Sequence, residues 1–320
     1  MNAPTFAAAT LVALSCGVLP AKAADPQLMN LVMPDAKVMA GVNVAQARTT
    51  PFGQYVLSQI APQDQEIQKL VALVGFDPRR DVVELLVASN GLPPGKSHSG
   101  LVMATGTFDP GKVAATAQTA GAKSEIYKEV TILEDPQQTS GVAFPTGSLA
   151  IMGDVANVKA AIDRLSAASV LPAALLTQVN QWSLSQDAWV VSIAPPSSLT
   201  PPATAPQVPG LTQQNAFQAI QQVAGGVKFG STVTFTAQAQ ADTAANATSM
   251  VGVLQLLSNL AQMQASQNPQ AAAAVKSLVV SSTGNTVNVT LSLPGDQFQQ
   301  LVHPARPATV QRQRRVVKQM

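Results

Sequence analysis

Alternation of apolar and polar residues is clearest in segment 286–293, near the end of the chain. Val287, Val289, Leu291 and Leu293 occupy every second position there, with polar residues between them. A period of two predicts a β-strand that is covered on one face and faces water on the other. This pattern is typical of an antiparallel sheet.

The first half of the chain alternates between strand-like and helix-like segments. Apolar residues recur at every second position in the predicted strands and three or four positions apart in the predicted helices. The predicted strands are 37–44, 82–89, 101–108, 124–133 and 143–152, and the predicted helices are 51–74 with a break at Pro62, a short turn opening at 77–78, 110–121 and 155–165. This order of elements indicates an antiparallel sheet with helices on one face, the α+β arrangement.

The second half repeats this order of elements. Its predicted strands are 188–194, 232–239 and 286–293, and its predicted helices are 212–224, stopped by Gly225-Gly226, 246–264 and a short one at 271–276. We therefore predict two consecutive antiparallel-sheet domains with helices packed on one face, the first over residues 28–170 and the second over 180–302. Because no obvious sequence identity accompanies the repeated order, a structural duplication is a hypothesis.

The N-terminal segment 1–24 resembles an export signal. Residues 6–19 form an apolar, Ala-rich stretch without charge, followed by the run Ala21 to Ala23, the small-x-small pattern that signal peptidase accepts. No Lys or Arg precedes the apolar stretch, so a buried N-terminal helix of the fold is the alternative interpretation. The stretch is shorter than the roughly 20 apolar residues that a membrane-spanning helix needs. We expect cleavage after Ala23 or Ala24 and a periplasmic or secreted mature chain without a transmembrane segment.

The single cysteine, Cys16, lies in this segment. Cleavage after Ala23 would leave the mature chain without a disulfide, a thiol nucleophile or a thiolate metal ligand. Residues 14–17 loosely match a lipid-attachment motif, but Ala13 stands where a branched apolar residue is usual. A lipoprotein anchored at Cys16 is therefore the alternative to a soluble mature chain.

Charge is scarce and unevenly distributed along the chain. Charged residues make up 11% of the 320 residues, against about 25% in typical soluble proteins. Residues 1–300 carry 14 basic and 17 acidic side chains, a net of −3, whereas the tail 303–320 carries five basic and no acidic ones. A neutral body lacks the broad basic face that nucleic acid binding requires, so we exclude nucleic acid as a partner. The tail is predicted to be disordered, with contact to anionic surfaces as the alternative.

Two loop-like segments could carry binding functions. Segment 195–209 holds six prolines, which predicts an extended, exposed loop inside domain two; a solvated insertion is favoured over a binding segment. Segment 91–97 resembles a phosphate-binding loop, but it is one residue short and has Asn90 where the first glycine is required. Two prolines also remove backbone donors from it. We predict a hairpin turn there and no cofactor.

Residues for metal or nucleophilic chemistry are few. The two histidines, His98 and His303, are remote in sequence, and no calcium-binding loop is present. No G-x-S-x-G motif of a serine hydrolase occurs either. The sequence therefore predicts no catalytic, cofactor-binding or metal-binding residues.

The acidic residues have structural interpretations. Asp77, Asp109 and Asp154 are predicted helix caps. The pair Glu134-Asp135 and the single Asp187 are predicted to be exposed turn residues. In the dense cluster at residues 79–81, Arg-Arg-Asp, we expect a local ion pair with Asp81 or Glu84 and not an anion site.

Four short phrases resemble a group of exported bacterial proteins with tandem α+β domains, to which no activity is assigned. These phrases are residues 31–37, 75–81, 105–108 and 148–154, the last followed by 158–164. The resemblance spans about residues 28–300 and rests on structural motifs. It implies export and a duplicated architecture, and it offers no functional residue to carry over.

These observations favour a non-catalytic exported protein that binds another envelope component, a protein or a polymer. The binding surface would be a sheet face, the groove between the domains or the proline-rich loop. A carboxylate-dependent hydrolase of cell-wall or extracellular polymer is the first alternative, since any two carboxylates could meet in the fold. A carrier of an apolar ligand is the second.

Overall fold

The computed structural model describes residues 23–60, 76–91, 99–167, 170–195, 219–264 and 269–302. The predicted leader, the proline-rich loop, most of the loop resembling a phosphate-binding motif and the basic tail lie outside these ranges. Within them, no helix has the length and apolar character needed to cross a membrane.

The first half of the chain contributes seven strands and six helices to the described structure. The strands are β1 (Val38–Asn43), β2 (Val82–Ser89), β3 (Gly100–Gly106), β4 (Lys123–Tyr127), β5 (Val130–Glu134), β6 (Ser140–Thr146) and β7 (Leu149–Asp154). The helices are α1 (Pro26–Leu31), α2 (Val44–Ala47), α3 (Pro51–Ile60), α4 (Pro78–Asp81), α5 (Pro110–Thr119) and α6 (Val155–Arg164).

The second half contributes five strands and four helices to the described structure. The strands are β8 (Ala188–Ser192), β9 (Ile220–Lys228), β10 (Thr232–Ala241), β11 (Leu278–Thr283) and β12 (Thr286–Pro294). The helices are α7 (Ala173–Ser185), α8 (Ala244–Gln264), α9 (Pro269–Ser277) and α10 (Gly295–Val302).

All twelve described strands join one antiparallel sheet in the order β11-β12-β10-β9-β8-β1-β2-β3-β7-β6-β5-β4. The predicted α+β class with antiparallel pairing is confirmed. The expected pair of separate sheets is not seen, because β1 pairs with β2 along one edge and with β8 along the other. The β1–β8 pair therefore joins the two halves of the chain.

Helices cover both faces of this sheet, whereas the sequence predicted one covered face. We call upper the face that carries Met39 and Leu86, against which α1, α6 and α7 pack. Leu85, next to Leu86, points to the opposite, lower face, where α2, α3 and α10 pack. A strand with apolar residues at both parities must be covered on both sides, and this is the reason for the difference.

Several element boundaries differ from the prediction. Residues 220–224, predicted as helix, belong to strand β9, and the predicted strands 124–133 and 143–152 fall within two strand pairs, β4–β5 and β6–β7. Helix α7 and strand β11 were not predicted. β2 and β3 pair antiparallel, and residues 92–97 of the predicted hairpin turn between them lie outside the described residues.

Candidate functional site

The upper face of β10, β11 and β12 is built from polar, uncharged side chains. Gln238 of β10 pairs with Ala224 of β9, which lies in the upper-face core, so the alternating polar residues of β10 share that face. The members of this polar face are Thr234, Thr236, Gln238, Gln240, Val279, Ser281, Thr283, Thr286, Asn288, Thr290 and Ser292, of which only Val279 is apolar.

The apolar side of the same three strands is occupied by helices. Ala239, Val287 and Met250 of α8 belong to one apolar cluster, and the Phe298 ring of α10 stacks on Phe235 with 4.7 Å between centroids. The burial that stabilises these strands is therefore on the lower face. The polar face remains half-exposed or exposed at every member.

Side chains on the polar face can donate and accept hydrogen bonds. The hydroxyls of Thr234 and Ser292 lie 3.2 Å apart across two strands, and they form the one side-chain hydrogen bond among the members of this face. Hydroxyl and amide groups both donate and accept hydrogen bonds. A surface of this kind can pair with polar backbone or hydroxyl groups and does not select by charge.

A polar row crosses the upper face at one end of the strands and connects the two halves of the chain. Its members are Thr105, Glu84, Asn43, Asp187 and Lys228. Strand register places Glu84 beside Thr105 on one side and Asn43 on the other. The backbone N–H of Asn43 donates to the carbonyl of Asp187 at 2.8 Å, and Lys228 beyond it pairs with Thr234 of the polar face. Two buried carboxylates thus lie on this polar row, one from each half.

Asp187 is a buried anchor, not the exposed turn residue that the sequence predicted. Only 4% of it is exposed. Its carboxylate accepts a hydrogen bond from the Phe229 backbone N–H at 2.6 Å and from the Lys228 ammonium at 2.7 Å. Because a buried carboxylate needs such partners, Asp187 serves to fix the start of β8 against the end of β9.

Glu84 is the second buried carboxylate, 8% exposed. Its Oε1 accepts a hydrogen bond from the backbone N–H of Asp25 at 3.0 Å, and Asp25 caps α1 by accepting from the N–H of Gln27. Beside it, the Thr105 hydroxyl is buried and has no hydrogen-bond partner among the described residues. The expected ion pair of the 79–81 cluster is formed with Asp81.

The two edges of the sheet differ in chemistry. β11 reads LVVSST, without charge or proline, and Val279 is 60% exposed. β4 at the other edge carries the charged Lys123 and Glu125 before Ile126, which is 76% exposed. Charged edge strands resist pairing with other chains, whereas uncharged, open ones favour it. The β11 edge is therefore the one suited to accept another strand.

Two other carboxylates come together near the β4 edge. Glu134 is buried, 3% exposed, which corrects its prediction as an exposed turn residue. The Lys159 ammonium lies 2.8 Å from the Glu125 carboxylate, and the Glu134 carboxylate accepts a hydrogen bond from the Gln138 side-chain amide at 3.1 Å. The ammonium, followed by the neighbouring Glu134, lowers the pKa of Glu125, and the Glu125 carboxylate raises the pKa of Lys159. The lysine compensates the charge, which favours a structural role.

The cluster at residues 79–81 forms the predicted local ion pair with Asp81 and a second ion pair, with Asp77, that was not predicted. Arg80 pairs with Asp81 at 2.7 Å, and Arg79 pairs with Asp77 at 2.7 Å. The Arg79 hydrogen bond holds the pKa of Asp77 below its ordinary value although burial opposes it. Asp77, Arg79 and Arg80 line an open groove of about 360 Å³ that also includes Arg48. Since Asp77 is the carboxylate among the described lining residues and Arg79 pairs with it, these residues offer no acid–base pair.

The predicted helix caps are confirmed for two of three residues. Asp77 accepts from the N–H of Arg79 and Asp109 from that of Lys112. Asp154 stands at the cap position of α6, but its carboxylate accepts from the Asn157 amide and not from the backbone. In the described ranges, no cluster of three or more potential metal-ligating side chains occurs, and both histidines lie outside these ranges.

The fold and this surface define an α+β protein with one continuous antiparallel sheet and an open polar face. No protein-family model and no curated protein matches the chain. Solved structures do: crystal form III of TP0453 has a TM-score of 0.54 at 11% identity, covering 88% of this chain and 98% of that one. Crystal form IV of TP0453 has a TM-score of 0.51 at 11% identity, covering 87% and 96%. At such identity the likeness shows a shared fold alone.

Proposed function

We propose that this chain is a non-catalytic exported protein of the bacterial envelope, periplasmic or secreted, that binds another envelope protein by accepting one of its strands. The observation that carries the proposal is the uncharged edge strand β11, bordered by the polar face of β10–β12. Addition of a strand to an open sheet edge is a recurrent mode of peptide recognition.

The chemistry of the edge supports a polypeptide partner. An edge strand presents unpaired backbone N–H and C=O groups along one side, and these satisfy the matching groups of an incoming extended segment. Ser281 and Thr283, both exposed, can hydrogen-bond side chains that the partner places on the upper face. Val279, near the start of β11, supplies an apolar contact on the same face.

The alternative functions have weaker support from the described residues. A hydrolase needs two carboxylates that are open to substrate and to water. Glu125 and Glu134 do approach each other, but Glu134 is buried and Lys159 bonds Glu125. The apolar clusters consist of helices packed on strands, as in any core, which gives no particular support to an apolar-ligand carrier.

The test begins with capture of partners from an envelope extract by the immobilised mature chain. The decisive comparison is between wild type, a Val279→Lys/Ser281→Lys double variant and an Ile126→Lys control. Lysines on an edge strand oppose addition of another strand, and Ile126, 76% exposed against 60% for Val279, is an exposed apolar residue on the opposite edge. We expect the double variant to lose the partner and the control to retain it.

Hydrogen exchange then locates the contact on the purified complex. Backbone amides of β11 on the open side should become protected when the partner is bound, because they gain acceptors. Equal capture by wild type and double variant, or protection confined to other elements, would refute strand addition at β11. Recovery of no saturable partner would refute the binding function itself.

The duplicated two-domain plan is also kept as a proposal. Each half supplies an antiparallel set of strands on its own side of the β1–β8 pair, which supports it. Expression of residues 180–302 alone tests it: a cooperative unfolding transition is expected if this half is an autonomous unit, and its absence would argue for a single folding unit.

A further inference from the structure

The hairpin of β11 and β12 determines which backbone groups of β11 face outward. The two strands are joined by Gly284 and Asn285, with Gly284 at φ 59° and Thr283 paired with Thr286. In a two-residue turn of this kind the flanking pair is hydrogen-bonded. Because hydrogen-bonded and non-hydrogen-bonded pairs alternate along antiparallel strands, every second residue back from Thr283 bonds to β12.

The residues between these positions direct their backbone N–H and C=O groups to the open side. They are Leu278, Val280 and Ser282. Among the described residues β11 is the last strand of the sheet, and its six residues include no proline. A strand that offers three outward residues of its own would form about six hydrogen bonds here, two for each facing pair.

A second copy of β11 meets this requirement in one register. When two copies pair about a two-fold axis, outward residues of one must face outward residues of the other. An axis at Val280 uses all three of them, because it places Leu278 of each copy opposite Ser282 of the other. Val280 then faces its own counterpart.

The side chains of β11 are compatible with this register. On the upper face, Val279 of each copy would lie opposite Ser281 of the other, which covers a valine that is 60% exposed. On the lower face, the half-buried Val280 would contact its counterpart. Since β11 carries no charge, neither face brings like charges together within the strand pair.

The elements next to β11 add no repulsion between copies. Helix α8, which packs on β11 and β12, has no charged residue along Ala244–Gln264. Lys276 lies at the end of α9, just before β11. The two copies of Lys276 would stand at opposite ends of the paired strands, about 20 Å apart, which exceeds the screening length of about 8 Å at physiological ionic strength.

We propose that two copies of this chain pair through β11, antiparallel about an axis at Val280, so that a resting dimer closes the edge until a partner strand replaces the second copy. The inference rests on the proposed function, because both use the open side of β11. An open, uncharged edge strand favours aggregation unless it is covered, and self-pairing covers it.

The charged edge at β4 limits this association to two copies. Pairing of β11 with β4 of another copy would leave one β11 and one β4 open, and assembly would continue without closing. Lys123 and Glu125 of β4 oppose such pairing. A symmetric β11 pair uses the uncharged edge of both copies and leaves only charged edges outside.

Sedimentation of the purified mature chain over a range of concentrations tests the pairing without any other protein. A pair of six-residue strands is a small interface, so the dimer should be weak and reversible. We expect the mass of two copies at high concentration and that of one copy after dilution.

Charged variants test the register. Val279→Lys/Ser281→Lys places lysines opposite each other across the axis, and it should raise the dissociation constant about tenfold or more because facing like charges destabilise a strand pair. Val279→Lys/Ser281→Glu places lysine opposite glutamate and should dimerise as wild type does. Ile126→Lys, on β4, is the control and should leave the dissociation constant unchanged.

Hydrogen exchange identifies the groups in contact. The amides of Leu278, Val280 and Ser282 should be protected at concentrations where the dimer forms and should lose this protection after dilution. The amides of Val279 and Ser281, which bond to β12, should exchange at the same rate in both conditions.

Three results would overturn the resting dimer: a wild-type mass of one copy at every concentration, a dimer that persists in Val279→Lys/Ser281→Lys, or loss of the dimer in Val279→Lys/Ser281→Glu. Capture from the envelope extract tests the proposed function separately. A monomeric wild type whose capture of a partner depends on β11 would refute the dimer alone. A dimer with the expected register and no captured partner would refute the binding of another envelope protein alone.

Discussion

The contact between Gly41 and Trp189 joins the two halves of the sheet and gives a sharp prediction. These residues are directly paired across β1 and β8. A Cβ atom on Gly41 would lie 2.6 Å from the Cε2 and Cζ2 atoms of the indole ring. Carbon atoms in contact prefer about 3.5–4.0 Å, so Gly41→Ala must displace the ring by about 1 Å.

The cost follows from the surroundings of the ring. Trp189 is 7% exposed and packs in the upper-face core, where overpacking by a methyl group costs about 1–3 kcal/mol. Alanine also reduces the entropy of the unfolded chain, which returns about 0.4–1 kcal/mol. We therefore expect Gly41→Ala to lower the free energy of unfolding by about 1–2 kcal/mol.

Equilibrium unfolding in urea, followed by tryptophan fluorescence and by far-UV circular dichroism, measures this difference. Gly100→Ala is the matched control, because its Cβ would approach only the carbonyl oxygen of Ala88, at 3.7 Å; we expect it to be neutral or slightly stabilising. Trp189→Phe should make Gly41→Ala less costly, since the smaller ring leaves room. The reasoning is refuted if Gly41→Ala and Gly100→Ala have the same stability, or if the cost is unchanged beside Phe at position 189.

Three further predictions concern other described contacts. Asp187→Ala should destabilise by about 2–4 kcal/mol, because it leaves the buried N–H of Phe229 without its charged acceptor, and urea unfolding beside the milder Asp187→Asn checks this. Asp77→Asn should lower Tm at pH 6; since the pKa of Asp77 is held down by Arg79, the stabilisation is present above about pH 4 and is lost as pH falls further, so the Tm difference must shrink in acid. Glu129→Gly should raise stability by about 0.5 kcal/mol, because a φ of 67° is strained for a side chain, and an unchanged urea midpoint would contradict this.

The elements that sequence alone predicts well are those whose signals are local. Strand β12 was found from strict alternation, and α5 from the Asp109 cap at one end and Gly121, with φ +88°, at the other. Alternation and capping depend on residues within one or two turns of each other. For such elements, the local pattern and the tertiary structure agree.

Strand β9 shows why a local signal can mislead. The Gly225-Gly226 pair was interpreted as the end of a helix, but both glycines lie inside the strand. A Cβ at Gly226 would lie 2.5 Å from Cγ of Gln186, so the glycine permits the chain after α7 to approach the sheet closely. The role of Gly226 depends on its contact with Gln186, in a segment remote in the sequence. The local pattern of apolar and polar residues does not indicate such a contact.

The polar row was beyond prediction for the same reason. Glu84 and Asn43 lie in β2 and β1, and Asp187 directly precedes β8; the register of these three strands is set only when the sheet forms. Each has an ordinary interpretation in its own sequence context, and Asp187 was therefore predicted as an exposed turn residue. By contrast, the polar face of β10 and β12 could be found from alternation, although not the fact that it ends at an open edge.

The continuity of the sheet also bears on the proposal of strand addition at β11. The start of α1 beside Glu84 and the polar face of β10–β12 lie on the same upper face, and the polar row connects them through Asn43 and Asp187. A strand that adds at β11 would therefore extend the one sheet to which both halves of the chain contribute. For this reason β11 should be assayed in the whole mature chain and not in the isolated segment 180–302.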